Sequence, residues 1–296
     1  KNKKLKLEMK TIKDLIDLIT LKKISKNIFE GGNYLTPWGR VFGGQVLAQS
    51  LYAAYQTVPI DRFAHSMHGY FILAGDINLP VRYEVDVLRD GGSFTTRRVV
   101  AYQKDKAIFN MAASFQLNQK GVDHQISIPS VLTPEILLTD LQQIQNYKDE
   151  APNIYQMIKA IHPVIFEMKP VENIASRMIK DSIPYSNIWF KTKEKIELDL
   201  KTQHQLLAYA SDYGLLLTST LPHRERFNKS NILSASLDHS LWFHRAFKID
   251  DWLLYSMDSP SASNSRGFSR GSIFNRHGIL VASVAQEGLI RELIIP

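Results

Sequence analysis

The stretch LLAYASDYGLLL, Leu206–Leu217, carries apolar or small residues at almost every position. Read as a helix, its apolar residues fall on all sides, and a helix without a polar face is a buried one. Asp212 sits in the middle of it. A carboxylate is rarely buried without hydrogen-bond donors or a counter-charge. Asp212 is therefore either a satisfied core or capping aspartate, or a reactive carboxylate held by polar groups from neighbouring strands.

Outward from this helix the chain is strand-like. Two runs precede it, at 163–172 and 186–193, and four follow, near 231–246, 251–260, 266–275 and 278–290. The first half has the same grammar. Leu47, Leu51, Ala54 and Val58 recur at helical spacing until Pro59. Four runs follow at 64–73, 80–88, 93–103 and 107–117, with turns at Gly75-Asp76, Asp90-Gly91-Gly92 and Lys104-Asp105-Lys106. His68-Gly-Tyr-Phe71 opens a series that closes at Ala112-Ala-Ser-Phe-Gln116. His239-Ser-Leu-Trp-Phe243 opens a second of nearly equal span that closes at Val281-Ala-Ser-Val-Ala-Gln286. These matches predict an internal duplication of a unit with one long helix and an antiparallel sheet of about five strands, an α+β architecture. Ile12, Leu15, Ile16 and Ile19 predict a short amphipathic helix before the first unit, and Ser25–Glu30 a first strand. The expected organisation is a basic arm with a short helix at 1–26, a first unit at 27–117, a connector at 118–162 and a second unit at 163–296. The connector holds Pro129, Pro134 and Pro152, with helical patterns near 134–146 and 153–161.

Charge is unevenly placed. Residues 1–26 hold nine lysines against Glu8, Asp14 and Asp17, a surplus of six of the chain's net seven positive charges. The remainder is almost neutral. Nucleic-acid binding calls for basic residues on the folded body with stacking aromatics among them, so no nucleic-acid partner is expected. No apolar run reaches 18 residues, so no membrane span is expected. There is no cysteine, hence no disulfide and no thiol nucleophile. His65, His68, His239 and His244 lie on strand-like runs without HExxH spacing, and no metal is expected.

Several motifs, taken together and in order, resemble the acyl-CoA thioesterase II family. They are Gly39-Arg-Val-Phe-Gly-Gly-Gln-Val46, His65-Ser-Met-His-Gly-Tyr-Phe71, Leu88-Arg-Asp-Gly-Gly-Ser-Phe94, Tyr209-Ala-Ser-Asp212, Leu237-Asp-His-Ser-Leu-Trp-Phe-His244, and Ser261-Ala-Ser with Arg266-Gly-Phe-Ser-Arg270. The resemblance spans about residues 10–292. It implies a double hotdog fold, two tandem units each with a helix wrapped by a curved sheet, and hydrolysis of acyl-CoA to fatty acid and CoA without a cofactor. It also implies a catalytic aspartate, threonine and glutamine. These fall on Asp212, Ser236 and Gln286, so serine stands where the family has threonine. Serine keeps the hydroxyl and loses the methyl that restrains its rotamer. The resemblance further suggests chains that associate into homo-oligomers, and sites formed between two units.

Thioester hydrolysis needs an activated water and a place for negative charge on the carbonyl oxygen. Asp212 is the candidate base, with Ser236 and Gln286 orienting the water. The helix start at Gly43-Gly44 offers unpaired amides for the oxyanion, against the alternative of tight helix-to-sheet packing. Asp238 is a rival carboxylate, placed on the strand face of Ser236 by the period of two; His68 and His239 are rival bases. Arg89, Arg97, Arg98, Arg266 and Arg270 lie near turns and are candidates for the CoA phosphates. No G-x-S-x-G elbow occurs, so a serine nucleophile of the α/β-hydrolase kind is unsupported. Aligning the two long helices sets Tyr52 opposite Asp212, so one working site per chain is expected. Two other activities stay open: an enoyl-CoA hydratase, for which Gly75-Asp-Ile-Asn-Leu-Pro80 is a partial echo, and a non-enzymatic acyl-CoA-binding module. The C-terminal Leu-Ile-Ile-Pro is unlike a peroxisomal address, and a cytoplasmic enzyme is expected.

Overall fold

The computed structural model describes residues 9–229 and 232–293. The first eight residues of the basic arm, residue 231 at the start of one predicted run, and the last three residues lie outside the described residues.

The first helix, α1 (Ile12–Ile19), is opened by a capping box in which Thr11 and Asp14 exchange side-chain and backbone bonds. Ile12, Leu15, Leu18 and Ile19 form its buried stripe. The single strand expected at Ser25–Glu30 is instead a hairpin of β1 (Lys22–Ser25) and β2 (Ile28–Gly31), with the polar pair Lys26-Asn27 as its turn. The long helix α2 (Gly43–Tyr55) follows, then β3 (Arg62–Phe71), β4 (Val81–Asp90), β5 (Phe94–Gln103) and β6 (Lys106–Leu117). The connector forms a 3-10 turn at Pro134–Ile136, then α3 (Asp140–Gln145) and α4 (Pro152–Ile161). Beyond it run β7 (Phe166–Pro170), α5 (Ile174–Ile179), β8 (Tyr185–Thr192), α6 (Leu200–Ala210), α7 (Leu215–Thr220) and α8 (Arg224–Lys229). The predicted run at 231–246 is divided into β9 (Ile232–Ser236) and β10 (Asp238–Phe243), followed by β11 (Leu253–Ser263), β12 (Arg266–Asn275) and β13 (Leu280–Glu292).

The deciding stretch is not one helix. α6 ends at Ala210, where Ser211 donates its N–H to the Leu207 carbonyl at 2.8 Å and its hydroxyl to the Ala208 carbonyl at 3.0 Å. Gly214 then takes a left-handed φ of 89°, cheap only for glycine, before α7 begins. Asp212 lies in this break. The apolar pattern runs unbroken across it because both helices are buried.

The chain divides into two compact units, each built from three segments. The first comprises Lys1–His124, Glu194–Asp212 and Ser240–Phe247. Its strands are antiparallel in the order β1-β2-β4-β5-β6-β3. Alternate residues Val81, Tyr83 and Val85, then Val99 and Ala101, then Met111, Ala113 and Phe115 turn inward and are buried. α2 packs on this face and against α6. Its buried Gln49 is satisfied: Tyr83 donates to Gln49 Oε1 at 2.6 Å, and Gln49 Nε2 donates to the Leu18 carbonyl at 2.7 Å.

The second unit comprises Gln125–Lys193, Tyr213–His239 and Lys248–Pro296. Its strands are antiparallel in the order β7-β8-β11-β12-β13, with β9 also paired to β13. α7 packs against β11, β12 and β13. The connector helices pack here too: Ile144 and Ile158 share a buried cluster with Ala175 and Met178. Each sequence repeat thus supplies a long helix and four long strands, α2 with β3–β6 and α6 with β10–β13, the second interrupted by α7, α8 and β9. This is the α+β architecture expected.

Two buried histidines give the fold a pH dependence. His204 Nδ1 lies 2.8 Å from the Tyr55 hydroxyl, which accepts from the Ala64 N–H, and the His204 ring stacks on Phe243 with centroids 4.2 Å apart. Burial pushes its pKa down to about 3, against a small upward pull from Asp199, and pushes that of His239 down to about 4. In both, the neutral form is favoured on folding, so between pH 6.5 and 4 the unfolded chain binds more protons. The stabilisation is complete above the unfolded histidine value near 6.5 and is lost as pH falls. Each histidine is expected to remove about 2 kcal/mol between pH 7 and pH 5. Urea unfolding at the two pH values measures this; equal stability at both would refute it.

Candidate active site

Asp212 is positioned by the start of α2. That helix has no side-chain cap on its N-cap residue Phe42, so its first amides point outward. The Gly44 N–H donates to Asp212 Oδ2 at 2.9 Å. The positive end of a helix thereby holds a half-buried carboxylate. The helix start of the first repeat and the carboxylate of the second repeat meet within one compact unit. The approach requires both glycines: a Cβ on Gly43 would lie 2.6 Å from Asp212 Oδ2, and one on Gly44 would lie 2.3 Å from the Tyr209 carbonyl oxygen. This corrects the expectation of two open amides, since that of Gly44 is engaged by Asp212. The Gly43 N–H has no partner among the described residues.

Ser236 and Gln286 lie in the second unit and are in contact. β9 ends at Ser236, opposite Gly288 of β13, and the Leu237 N–H donates to the Glu287 carbonyl at 2.9 Å. Gln286 Nε2 donates to Ser236 Oγ at 2.7 Å, and Gln286 Oε1 lies 2.7 Å from His239 Nδ1. Gln286 and His239 are buried, Ser236 half-buried. Asp238 turns to the backbone of β13 and accepts the Glu287 N–H at 2.6 Å. Burial raises its pKa, that N–H lowers it, and the charge of Glu287 raises it. The strand breaks at Leu237, so the period of two does not carry from Ser236 to Asp238. His68, on β3, lies 3.0 Å from Ser240 Oγ and edge-on to Trp242, a structural setting.

Of the arginines proposed for phosphates, Arg97 is corrected. It is 1% exposed, and all five of its donors are used, by Thr57 twice, Arg89, Thr96 and Asp90. Arg98 pairs with Asp86, Arg266 with Glu287, and Arg270 with both oxygens of Asp258. The Arg89 side chain is exposed and makes no ion pair among the described residues. Phe71, whose ring lies 3.0 Å from a Cβ on Gly43, and the Tyr209–Tyr34 hydroxyl pair at 3.2 Å were not legible as parts of this region. Among the described residues no group of three or more histidines and carboxylates is placed to hold a metal ion, and no helix is long and apolar enough to cross a membrane.

Comparison with known proteins gives this geometry its context. A family described as "Acyl-CoA thioesterase" matches residues 167–289, and one described as "Acyl-CoA thioesterase N-terminal domain" matches residues 34–116. The chain is 38% identical to acyl-CoA thioesterase 2 of Haemophilus influenzae, over 95% of this chain and 98% of that protein. The crystal structure of an acyl-CoA thioesterase II from Mycobacterium marinum superposes with a TM-score of 0.78 at 35% identity, covering 94% of this chain and 98% of that one. A protein of unknown function with a hot dog fold from Alicyclobacillus acidocaldarius superposes with a TM-score of 0.73 at 15% identity, covering 95% and 98%, and shares the fold. With a double hotdog architecture and nearly full-length similarity, the chain belongs to the acyl-CoA thioesterase family.

Proposed function

We propose that this chain hydrolyses acyl-CoA to a fatty acid and free CoA, with Asp212 as general base and Ser236 and Gln286 orienting the attacking water. The observation that carries the proposal is the Asp212 carboxylate held at the start of α2 by the Gly44 N–H. A base must be fixed within hydrogen-bond reach of the proton it takes, and a helix start fixes a carboxylate without neutralising it. The water oxygen attacks the thioester carbon as Asp212 takes its proton. The Gly43 N–H supports the charge that develops on the carbonyl oxygen. The carbon–sulfur bond then breaks, and the proton passes to the departing CoA thiolate. Only groups of this chain and water take part. Arg89, exposed and without an ion pair among the described residues, is the first candidate for the CoA phosphates.

Ser236→Ala is expected to lower kcat about tenfold or more, whereas Ser236→Thr keeps activity, because the hydroxyl carries the role. Equal activity of the two variants would show the hydroxyl to be irrelevant. The activity itself is tested by thiol release from palmitoyl-CoA with a colorimetric thiol reagent. Water addition to crotonyl-CoA without release would replace it with a hydratase, and binding without turnover with a carrier. The repeat boundaries at 27–117 and 163–296, a cytoplasmic setting and self-association of the chain are further parts of the proposal that rest on the sequence. Localisation of a tagged full-length chain and sedimentation check the last two.

A further inference from the structure

We propose that His239 is a positioning residue that sets the polarity of the Gln286–Ser236 pair. This rests on the reading of Gln286 and Ser236 as groups that orient the water. The three side chains form a line: His239 Nδ1 is 2.7 Å from Gln286 Oε1, and Gln286 Nε2 is 2.7 Å from Ser236 Oγ. An amide oxygen only accepts, so Nδ1 is the nitrogen that carries the hydrogen. A primary amide has no preferred orientation of its own; its neighbours decide it. With Nδ1–H donating to the oxygen, the NH2 end is turned to Ser236 and occupies a lone pair of its hydroxyl. The serine hydrogen is then available to be donated onward, to one lone pair of the water. The water's other lone pair remains for attack, and its own hydrogens remain for the base. With the opposite tautomer, Nδ1 would accept from the amide NH2, the amide oxygen would face Ser236, and the serine hydrogen would be used up inside the line.

The surroundings favour a fixed neutral ring. His239 is 0% exposed, on the same face of β10 as the buried Leu241 and Phe243, and Gln286 is 2% exposed. Burial holds the ring neutral near pH 7, with a smaller upward pull from its bond to Gln286. A neutral ring with a single hydrogen is what makes a directional line; an imidazolium would donate from both nitrogens. Ordered partners of this kind act on turnover by placement, without touching substrate.

The tautomer is read directly in the wild-type enzyme from histidine 15N chemical shifts. Nδ1-protonated His239 is expected, and an Nε2-protonated ring would overturn the proposal whatever the variants do. His239→Phe keeps a ring of similar size without a donor, and is expected to lower kcat about 10- to 100-fold with little change in KM. His239→Asn, which brings an amide donor close to the Nδ1 position, is expected to recover part of the loss. In a Gln286→Ala background, His239→Phe is expected to cost less than about twofold more, since its effect runs through Gln286. An undiminished loss there, or wild-type kcat in His239→Phe, would overturn it. Wild-type turnover in Gln286→Ala alone is a different result: it would remove Gln286 from the mechanism and so end the reading on which this one rests.

Discussion

Asp212→Asn is expected to lower kcat about a hundredfold or more while the thermal unfolding midpoint stays close to that of the wild type. The substitution isolates the base. Asparagine has nearly the shape of aspartate, and its amide oxygen can still accept the Gly44 N–H that now reaches Asp212 Oδ2 at 2.9 Å. The start of α2 therefore keeps its partner, and the packing of the two helices is undisturbed. What is lost is the capacity to take a proton from water. A variant that turns over acyl-CoA at close to the wild-type rate would remove Asp212 from the chemistry and leave it a helix-start ligand. The same experiment bears on the number of sites. In the alignment of the two long helices Tyr52 stands opposite Asp212, so the first repeat has no carboxylate there to act as a second base, and one productive site per chain is expected.

What could be read from the sequence was whatever periodicity and turn chemistry carry. The hairpins of the first repeat run within one or two residues of the predicted runs, because alternation at β4, β5 and β6 is regular and the turns hold glycine or charged pairs. The break at Ser211–Gly214 left no trace in the apolar pattern, since residues on both sides are buried; the only signal was Gly214 itself. Arg97 was a misreading that the pattern could have prevented. It shares strand parity with Val99 and Ala101, both fully buried, so its side chain was bound to point inward. An inward arginine in a strand is a structural one, to be satisfied by carbonyls and a carboxylate. His239 has the same parity as Leu241 and Phe243, which signalled burial, but its alignment with Gln286 depends on the pairing of separate strands. Local sequence does not encode that.

The glycine pair at the start of α2 lets the catalytic and structural demands on one helix turn be separated. On Gly43 an added Cβ would lie 2.6 Å from Asp212 Oδ2 and 3.0 Å from the Phe71 ring. The carboxylate is the end of a short side chain and can rotate away, so the fold absorbs the methyl and the site does not. Gly43→Ala is expected to remain folded and to lose about a hundredfold in kcat, as a displaced base does. On Gly44 an added Cβ would lie 2.3 Å from the Tyr209 carbonyl oxygen and 2.5 Å from the Phe42 ring. A backbone atom cannot step aside without moving α6 away from α2. Overpacking of this kind costs about 3 kcal/mol. The better helix propensity of alanine returns at most about 1 kcal/mol, so the clash wins. Gly44→Ala is therefore expected to lower the unfolding midpoint by several degrees and to lose activity with it. Activity assays and thermal unfolding on the two variants decide the matter. Wild-type kcat in Gly43→Ala would mean that the position of Asp212 at the helix start is immaterial to turnover, and an unchanged midpoint in Gly44→Ala would mean that α2 and α6 do not approach as closely as 2.3 Å implies.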